Sequence, residues 1–446
     1  MHASTFRLPL AILVLVGFAL FFTHSAQAAA QTATAGQAVT FSVTADGTSP
    51  FSYQWFKNSI AISGATNASL TLSACAAGDA GTYYVVVSNL AGSTNSDNAV
   101  LTVNPVATKP WAVTGTGSFQ SGGKDGLLWS NSTTGETAIW LMNGLTSTAG
   151  ASYAPGADWT VAGTGDFNGD GNMDLLWRNK TTGGVVIWFM NGTALASSAW
   201  IYDSGTAWVP YKLADFNGDG KTDILWQNTV TGEYAIWLMN GSGPLLGASG
   251  FSVAAGWQLT QVADFSGDGK DDLLWRNSTT GGVVIWFMNG TAIGSSQWIY
   301  DSGLAWTPAC VADFNGDGKA DVLWHNTASG EYAIWLIGGN GPLLGATGFS
   351  VAAGWDVALV ADFNGDLKDD ILWRNSSTGG AVLWTMNGTA APVSAWVYNS
   401  GTAWTPVRAA DFNGDGKADI LWQNTDGSLA IWLMNGASCL GAAGIY

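Results

Sequence analysis

Six stretches of this 446-residue chain set carboxylates, one amide or hydroxyl, and glycines at a fixed spacing. In the first, Asp166, Asn168, Asp170 and Asp174 stand at loop positions 1, 3, 5 and 9. Gly169 and Gly171 between them permit a tight turn, so the odd-numbered side chains can converge on one point. Oxygen-only donors with three carboxylates suit Ca²⁺, with the backbone carbonyl of Asn172 at position 7 and water completing the shell. An EF-hand is excluded, because position 12 is Trp177 instead of a bidentate Glu. The set recurs as Asp215, Asn217, Asp219, Lys221 and Asp223, and as Asp264, Ser266, Asp268, Lys270 and Asp272. It returns as Asp313, Asn315, Asp317, Lys319 and Asp321, and as Asp362, Asn364, Asp366, Lys368 and Asp370. The last copy is Asp411, Asn413, Asp415, Lys417 and Asp419. Twenty of the 32 acidic residues lie in these loops. Left unneutralised at this density they repel, which favours up to six Ca²⁺ over plain solvated turns.

Other chemistry is sparse. Fifteen Lys and Arg against 32 Asp and Glu give a net charge of −17, with the basic residues scattered singly. Nucleic acid is excluded as a partner, since phosphate binding needs clustered cations. Of the three histidines, His2 and His24 fall in the leader described below, leaving His325 alone. Without a second histidine, His-paired nucleophiles and His-rich metal sites drop out. Cys75, Cys310 and Cys439 are too few and too irregular for a disulfide framework. The three glutamates, Glu136, Glu233 and Glu331, sit beside Thr-Gly or Ser-Gly turns and read as solvated hairpin residues. No symmetry-breaking acid and base stand out, so the expectation is a non-enzyme; the alternative is a polysaccharide lyase or hydrolase built on repeats.

The acidic loops are held by a repeat. The block beginning at Asp166 returns every 49 residues, at Asp215, Asp264, Asp313, Asp362 and Asp411. A degenerate copy, SFQSGGKDGLLW, starts at Ser118 and completes a set of seven. Each unit reads as four short strands punctuated by Thr-Gly and Asn-Gly turns, which describes a propeller blade. Tryptophan supports this: 21 of the 25 fall at three equivalent positions per unit, where they fill the space between sheets. A second period overlies the first. Units 3 and 5 carry GEYAIWL, whereas units 2, 4 and 6 carry a Gly-Gly turn and an additional aromatic set. That set comprises Arg178, Trp200 and Tyr202; Arg276, Trp298 and Tyr300; and Arg374, Trp396 and Tyr398. Aromatics beside a hydrogen-bonding cation suit sugars or peptides, and three copies would add avidity. Against that stands a plain outer strand whose Trp and Tyr alternate, one of them packed.

The flanks differ. Residues 1–28 read as an export signal, with Arg7, an apolar Leu8–Phe22 core and the Ala26-Gln27-Ala28 cleavage site. The apolar run is shorter than the roughly 20 residues a spanning helix needs, so the product is expected to be secreted and not inserted in a membrane. Residues 29–104 resemble an immunoglobulin-like domain through Trp55 and the Asp79-x-Gly81-x-Tyr83 corner. Val43 and Val85 stand where its two core cysteines would be expected. Residues 105–110 form the linker, and the repeats occupy 111–446.

The acidic loops and the ring of seven resemble FG-GAP (VCBS-type) repeats, the units of integrin α-subunit propellers and many secreted bacterial proteins. The resemblance implies an all-β fold, a seven-bladed propeller preceded by a small β-sandwich. It also implies Ca²⁺ in blade loops and a monomeric adhesion or ligand-binding module for an extracellular glycan or protein. Ligands are assigned in units 2 to 7 only, because Ser118, Gln120, Gly122 and Gly126 replace them in unit 1. In unit 6, Leu367 replaces the turn glycine, which predicts a strained, weaker site. Units 7 and 1 both lack the additional aromatic set, so their seam is expected to be the weakest in the ring.

Overall fold

A computed structural model describes residues 31–104, 109–241, 247–301, 303–341 and 343–446. The stretch expected to be an export signal and residues 105–108 of the expected linker lie outside these residues. The chain divides into two compact units, Met1–Thr108 and Lys109–Tyr446.

In the first unit, alternating apolar residues form two sheets around one core. The larger sheet has Gly81–Asn89 at its centre, flanked by Ser52–Lys57 and Ala99–Asn104, with Gln31–Thr34 running parallel to the latter. The smaller pairs Val39–Ser42 with Ser69–Leu72. Trp55, Val43 and Val85 are all buried in the shared core, so apolar packing does the work of a disulfide there. The Tyr83 hydroxyl donates to the Asp79 carbonyl at 2.7 Å, closing the corner read from the sequence.

The second unit consists of seven four-stranded antiparallel sheets, each made of consecutive strands. Blade 4 is typical: Trp257–Ala263, Asp272–Asn277, Val283–Asn289 and Ala292–Tyr300 pair in order from first to fourth strand. The second strand is buried on both faces because it carries DLLW, three large apolar residues in a row. Its tryptophan is 0–1% exposed in every blade and packs at 4.6–5.1 Å against the third-strand tryptophan of the same blade.

Seven apolar clusters fill the seven joints between consecutive blades, including the joint of blade 7 with blade 1. Backbone bonds repeat around the same circuit. The loop position-8 amide of each blade donates to the position-1 carbonyl of the preceding blade, as Thr222 does to Asp166 at 2.7 Å. The circuit closes where Asp125 donates to Asp411 at 2.7 Å. The ring is therefore a closed seven-bladed β-propeller.

The seam between blades 7 and 1 is the one expected to be the weakest. It has no interlocking strand, yet Tyr446 packs 5.2 Å from Trp129, as Tyr202 packs 5.1 Å from Trp226 elsewhere. The Asp125 carboxylate also accepts the Asp411 amide at 3.0 Å, and Arg408 donates to the Thr114 carbonyl. The missing aromatic is thus supplied from the last residue, and the seam has the bonds of its neighbours.

Candidate functional site

The acidic loops join the first and second strands, and their carboxylates first serve the loop itself. In blade 3, Asp215 Oδ1 accepts the Gly218 amide at 2.7 Å, and its Oδ2 accepts that of Gly220 at 2.8 Å. Asn217 Oδ1 accepts from the Asp219 amide, and Asp219 Oδ1 from the Lys221 amide, both at 2.9 Å. Successive amides turn inward because glycine at position 6 takes the left-handed conformation, φ +80° at Gly220. In blade 6, Leu367 adopts that conformation too, φ +64°, and makes the same bond to Asp362 at 2.8 Å.

Position 9 has another role. Asp174, Asp223, Asp272, Asp321, Asp370 and Asp419 are fully buried. Each carboxylate bridges two buried amides; Asp272 takes those of Phe265 at 3.1 Å and Met288 at 2.8 Å. Burial pushes these carboxyls up to about 7, or about 6 at Asp419, against the lowering effect of the two amides. The loop carboxylates at positions 1 and 5 push in the same upward direction. At position 7, the ammonium groups of Lys221, Lys270, Lys319, Lys368 and Lys417 lie 3.0–3.8 Å from the position-5 carboxylate.

The donors fit a hard cation in kind. All are oxygens, and a carboxylate oxygen that accepts one amide keeps a lone pair. In blade 2, which has no lysine at position 7, the Asn172 Oδ1 is buried without a partner. Among the described residues, however, no three acidic, histidine or cysteine side chains gather into a group that could hold a metal. The blade 1 loop has none of this carboxylate framework. Ser118 donates to the Gln120 carbonyl, Gly126 stands at position 9, and Lys124 turns to Asn143 Oδ1 at 2.6 Å.

The aromatic sets of blades 2, 4 and 6 follow the plain-strand alternative of the sequence reading, with one aromatic packed and the other exposed. The fourth strand carries a bulge that pairs Trp200 with Val186 but Tyr202 with the adjacent Val185. Adjacent residues of a strand point to opposite faces, so the bulge separates the two aromatics. Tyr202 packs on Trp226 of the next blade and donates its hydroxyl to Ser204. Arg178 donates to the Thr206 carbonyl at 2.9 Å, on the way to that blade. Tyr300, Tyr398, Arg276 and Arg374 repeat these braces. Arginine and tyrosine are therefore structural.

Only tryptophan remains outside. Trp200, Trp298 and Trp396 are 64%, 58% and 57% exposed. Each meets the first-strand tryptophan of its own blade at 5.3–5.7 Å in an edge-on contact. Each also lies over the second glycine of the Gly-Gly turn: a Cβ on Gly184, Gly282 or Gly380 would stand 2.7–2.9 Å from the indole. In blades 1, 3 and 5 that position is Glu136, Glu233 or Glu331, half-buried in the first and exposed in the other two, each accepting a neighbouring hydroxyl. The Gly-for-Glu exchange was visible in the sequence, but its meaning lay in the partner strand.

A closed ring of four-stranded blades with acidic first loops defines a repeat propeller. The FG-GAP-like repeat family matches residues 166–226, 215–275, 264–324 and 362–422, and the immunoglobulin domain family matches 23–89. The chain is an FG-GAP-like repeat protein with an N-terminal immunoglobulin domain. No curated protein matches it. Among solved structures it is similar to the rhamnogalacturonan lyase YesW, at 14% identity and a TM-score of 0.31, covering 86% of this chain and 85% of that one. Tandem Ig repeats of Dlar match at 21% identity and TM-score 0.16, over 17% of this chain and 43% of that one. The titin domains Z1Z2 match at 18% identity and TM-score 0.21, over 41% of this chain and 96% of that one. The chain thus spans less than half of the Dlar structure. Scores this low carry no argument about ligand or activity.

Proposed function

We propose that this protein is a secreted, calcium-binding propeller that acts in adhesion by engaging a glycan or protein ligand on blades 2, 4 and 6. The observation that carries the reading is the threefold recurrence of an exposed indole, at Trp200, Trp298 and Trp396, each fixed over a glycine and against a second indole. Rigid aromatics lose little conformational freedom on binding. Three copies on one ring convert weak single contacts into avidity.

The calcium part rests on the oxygen-only loops, the unpartnered Asn172 Oδ1, and six buried carboxyls whose ionised form lacks a cation. The enzyme alternative has less behind it, since all three glutamates sit at hairpin turns and accept a neighbouring hydroxyl. The test is binding of the full chain to arrays of glycans and of extracellular-matrix proteins. Replacing Trp200, Trp298 and Trp396 together by Ala should abolish capture while leaving the melting curve in place. Unchanged capture by that variant would overturn the reading.

A further inference from the structure

Two clefts occupy equivalent places where chain from an odd blade enters the even blade that follows it. The cleft at blade 4 has a volume of about 250 Å³ and is walled by Trp257, Trp275, Trp286 and Trp298, with Val253 from the preceding connection and Ser296 at its rim. The cleft at blade 6 has about 220 Å³ and is walled by Trp355, Trp373, Trp384 and Val382, with Val351 from the preceding connection. Trp396 stands in edge contact with its wall residue Trp355. The recurrence, 98 residues apart, makes this a feature of the even-blade design.

Resting on the exposed-indole reading above, we propose that these clefts each bind one neutral sugar ring. Size limits the occupant first: the volumes fall below the roughly 300–1,000 Å³ of pockets for drug-sized ligands, so one ring is the fitting unit. Charge limits it next. No charged side chain lines either cleft, which leaves a uronate, a phosphate or a basic side chain without a counter-charge.

Hydrogen bonding then separates sugars from apolar side chains. Serine hydroxyls line each cleft, Ser252 and Ser296 at blade 4 and Ser350 at blade 6. A leucine or phenylalanine could use none of them, whereas a sugar's hydroxyls can both donate to and accept from them. The C–H face of the ring would meet the indole faces. Blade 2 carries the same wall residues, Trp159, Trp177, Trp188 and Trp200, with Tyr153, Ala154 and Pro155 in the incoming connection. The sequence of blade 2 thus offers the walls of a third such cleft, with an altered rim.

The test titrates the full chain with galactose, glucose, mannose, fucose and N-acetylglucosamine, with galacturonate and glucuronate as charged controls. Tryptophan fluorescence and calorimetry report binding. The expected result is saturable binding of at least one neutral sugar, at two or three sites per chain, with the uronates at least tenfold weaker. Filling the clefts from their exposed rim, with Ser198→Phe, Ser296→Phe and Ser394→Phe together, should weaken that sugar at least tenfold at an unchanged melting temperature. If the serine variant retains full sugar binding while the tryptophan variant loses it, the clefts are wrong and the indole reading survives. If no neutral sugar binds but a protein ligand is lost on tryptophan replacement, the ligand class is wrong and the indole reading survives. If neither variant alters any binding, both fail.

Discussion

Blade 1 and blades 2 to 7 are one design built without and with carboxylates. In blade 3 the Phe216 amide donates to buried Asp223, whereas in blade 1 the Phe119 amide donates to the Gly117 carbonyl. Both phenylalanines are fully buried all the same. The amide-to-carbonyl bonds that join blades pass through the blade 1 loop unchanged, from Met173 to Ser118 and from Asp125 to Asp411. A blade therefore folds and docks through its backbone edge and its tryptophans. The carboxylates add a loop framework and a buried brace, which is where a cation would act.

The sharpest way to break this comparison is to remove the brace from a carboxylate blade. Asp272→Ala leaves the amides of Phe265 and Met288 buried and unpaired. At about 1–3 kcal/mol for each orphaned donor, the expected loss is about 2–6 kcal/mol in urea unfolding. A loss below about 1 kcal/mol would mean that blade 4 tolerates the absence of its carboxylate as blade 1 does.

A second test uses pH, with and without calcium. Burial raises five position-9 carboxyls to about 7 in the folded protein. In the unfolded chain an Asp titrates near about 3.9. Between these values the folded state holds more protons, so stability is greatest at the acid end of this window and falls as pH rises through about 7. In EDTA the melting temperature should therefore fall from pH 5 to pH 7.5. Bound Ca²⁺ requires the ionised form, so in excess Ca²⁺ the trend should reverse. Identical profiles in EDTA and Ca²⁺ would remove the calcium proposal while leaving the brace intact.

Grafting the missing brace into blade 1 probes the same contrast from the other side. A Cβ at Gly126 would stand 2.7 Å from the Trp140 carbonyl and 3.2 Å from the Phe119 ring. Gly126→Asp, which restores the motif on paper, should destabilise by about 1–3 kcal/mol through overpacking. A stabilised variant, by urea unfolding, would show that blade 1 lost its carboxylate by drift alone.

Much of this architecture was legible in the chain itself. A 49-residue period, acidic turns and tryptophans at fixed phase leave little choice of fold. The tyrosine corner and the valines replacing the cysteines were equally local signals. Legibility ended where strands had to be paired. The single extra residue on the fourth strand that sends Trp200 outward and Tyr202 inward changes no residue type, so spacing placed both in one set. The double use of the position-9 Asp was hidden for the same reason. Its second amide partner lies 16 residues away on the third strand, and only register brings Met288 to Asp272. The packing at the seam was missed because the unit 7 hairpin is one residue short, which hides that Tyr446 follows Trp432 by the 14 residues that separate Tyr398 from Trp384.

The mildest perturbation concerns blade 6, the one carboxylate loop with a side chain at position 6. Leu367 is 80% exposed and makes no compensating apolar contact commensurate with its size. Its φ of +64° lies in the left-handed region, where a side chain costs roughly 1–2 kcal/mol relative to glycine. Because its amide already donates to Asp362 at 2.8 Å, the loop has the geometry of its neighbours and only the strain differs. Leu367→Gly should relieve that strain, partly offset by the greater freedom of glycine in the unfolded chain, for a net gain of about 0.5–1 kcal/mol. Urea unfolding in EDTA measures the gain without any cation. Repeating it in Ca²⁺ tests whether the relaxed loop also binds more tightly, as a larger calcium-induced shift than in the parent. A destabilised variant in EDTA would mean that Leu367 contributes packing or unfolded-state restriction worth more than its strain, and blade 6 would then join blade 1 as a loop adapted away from the common design.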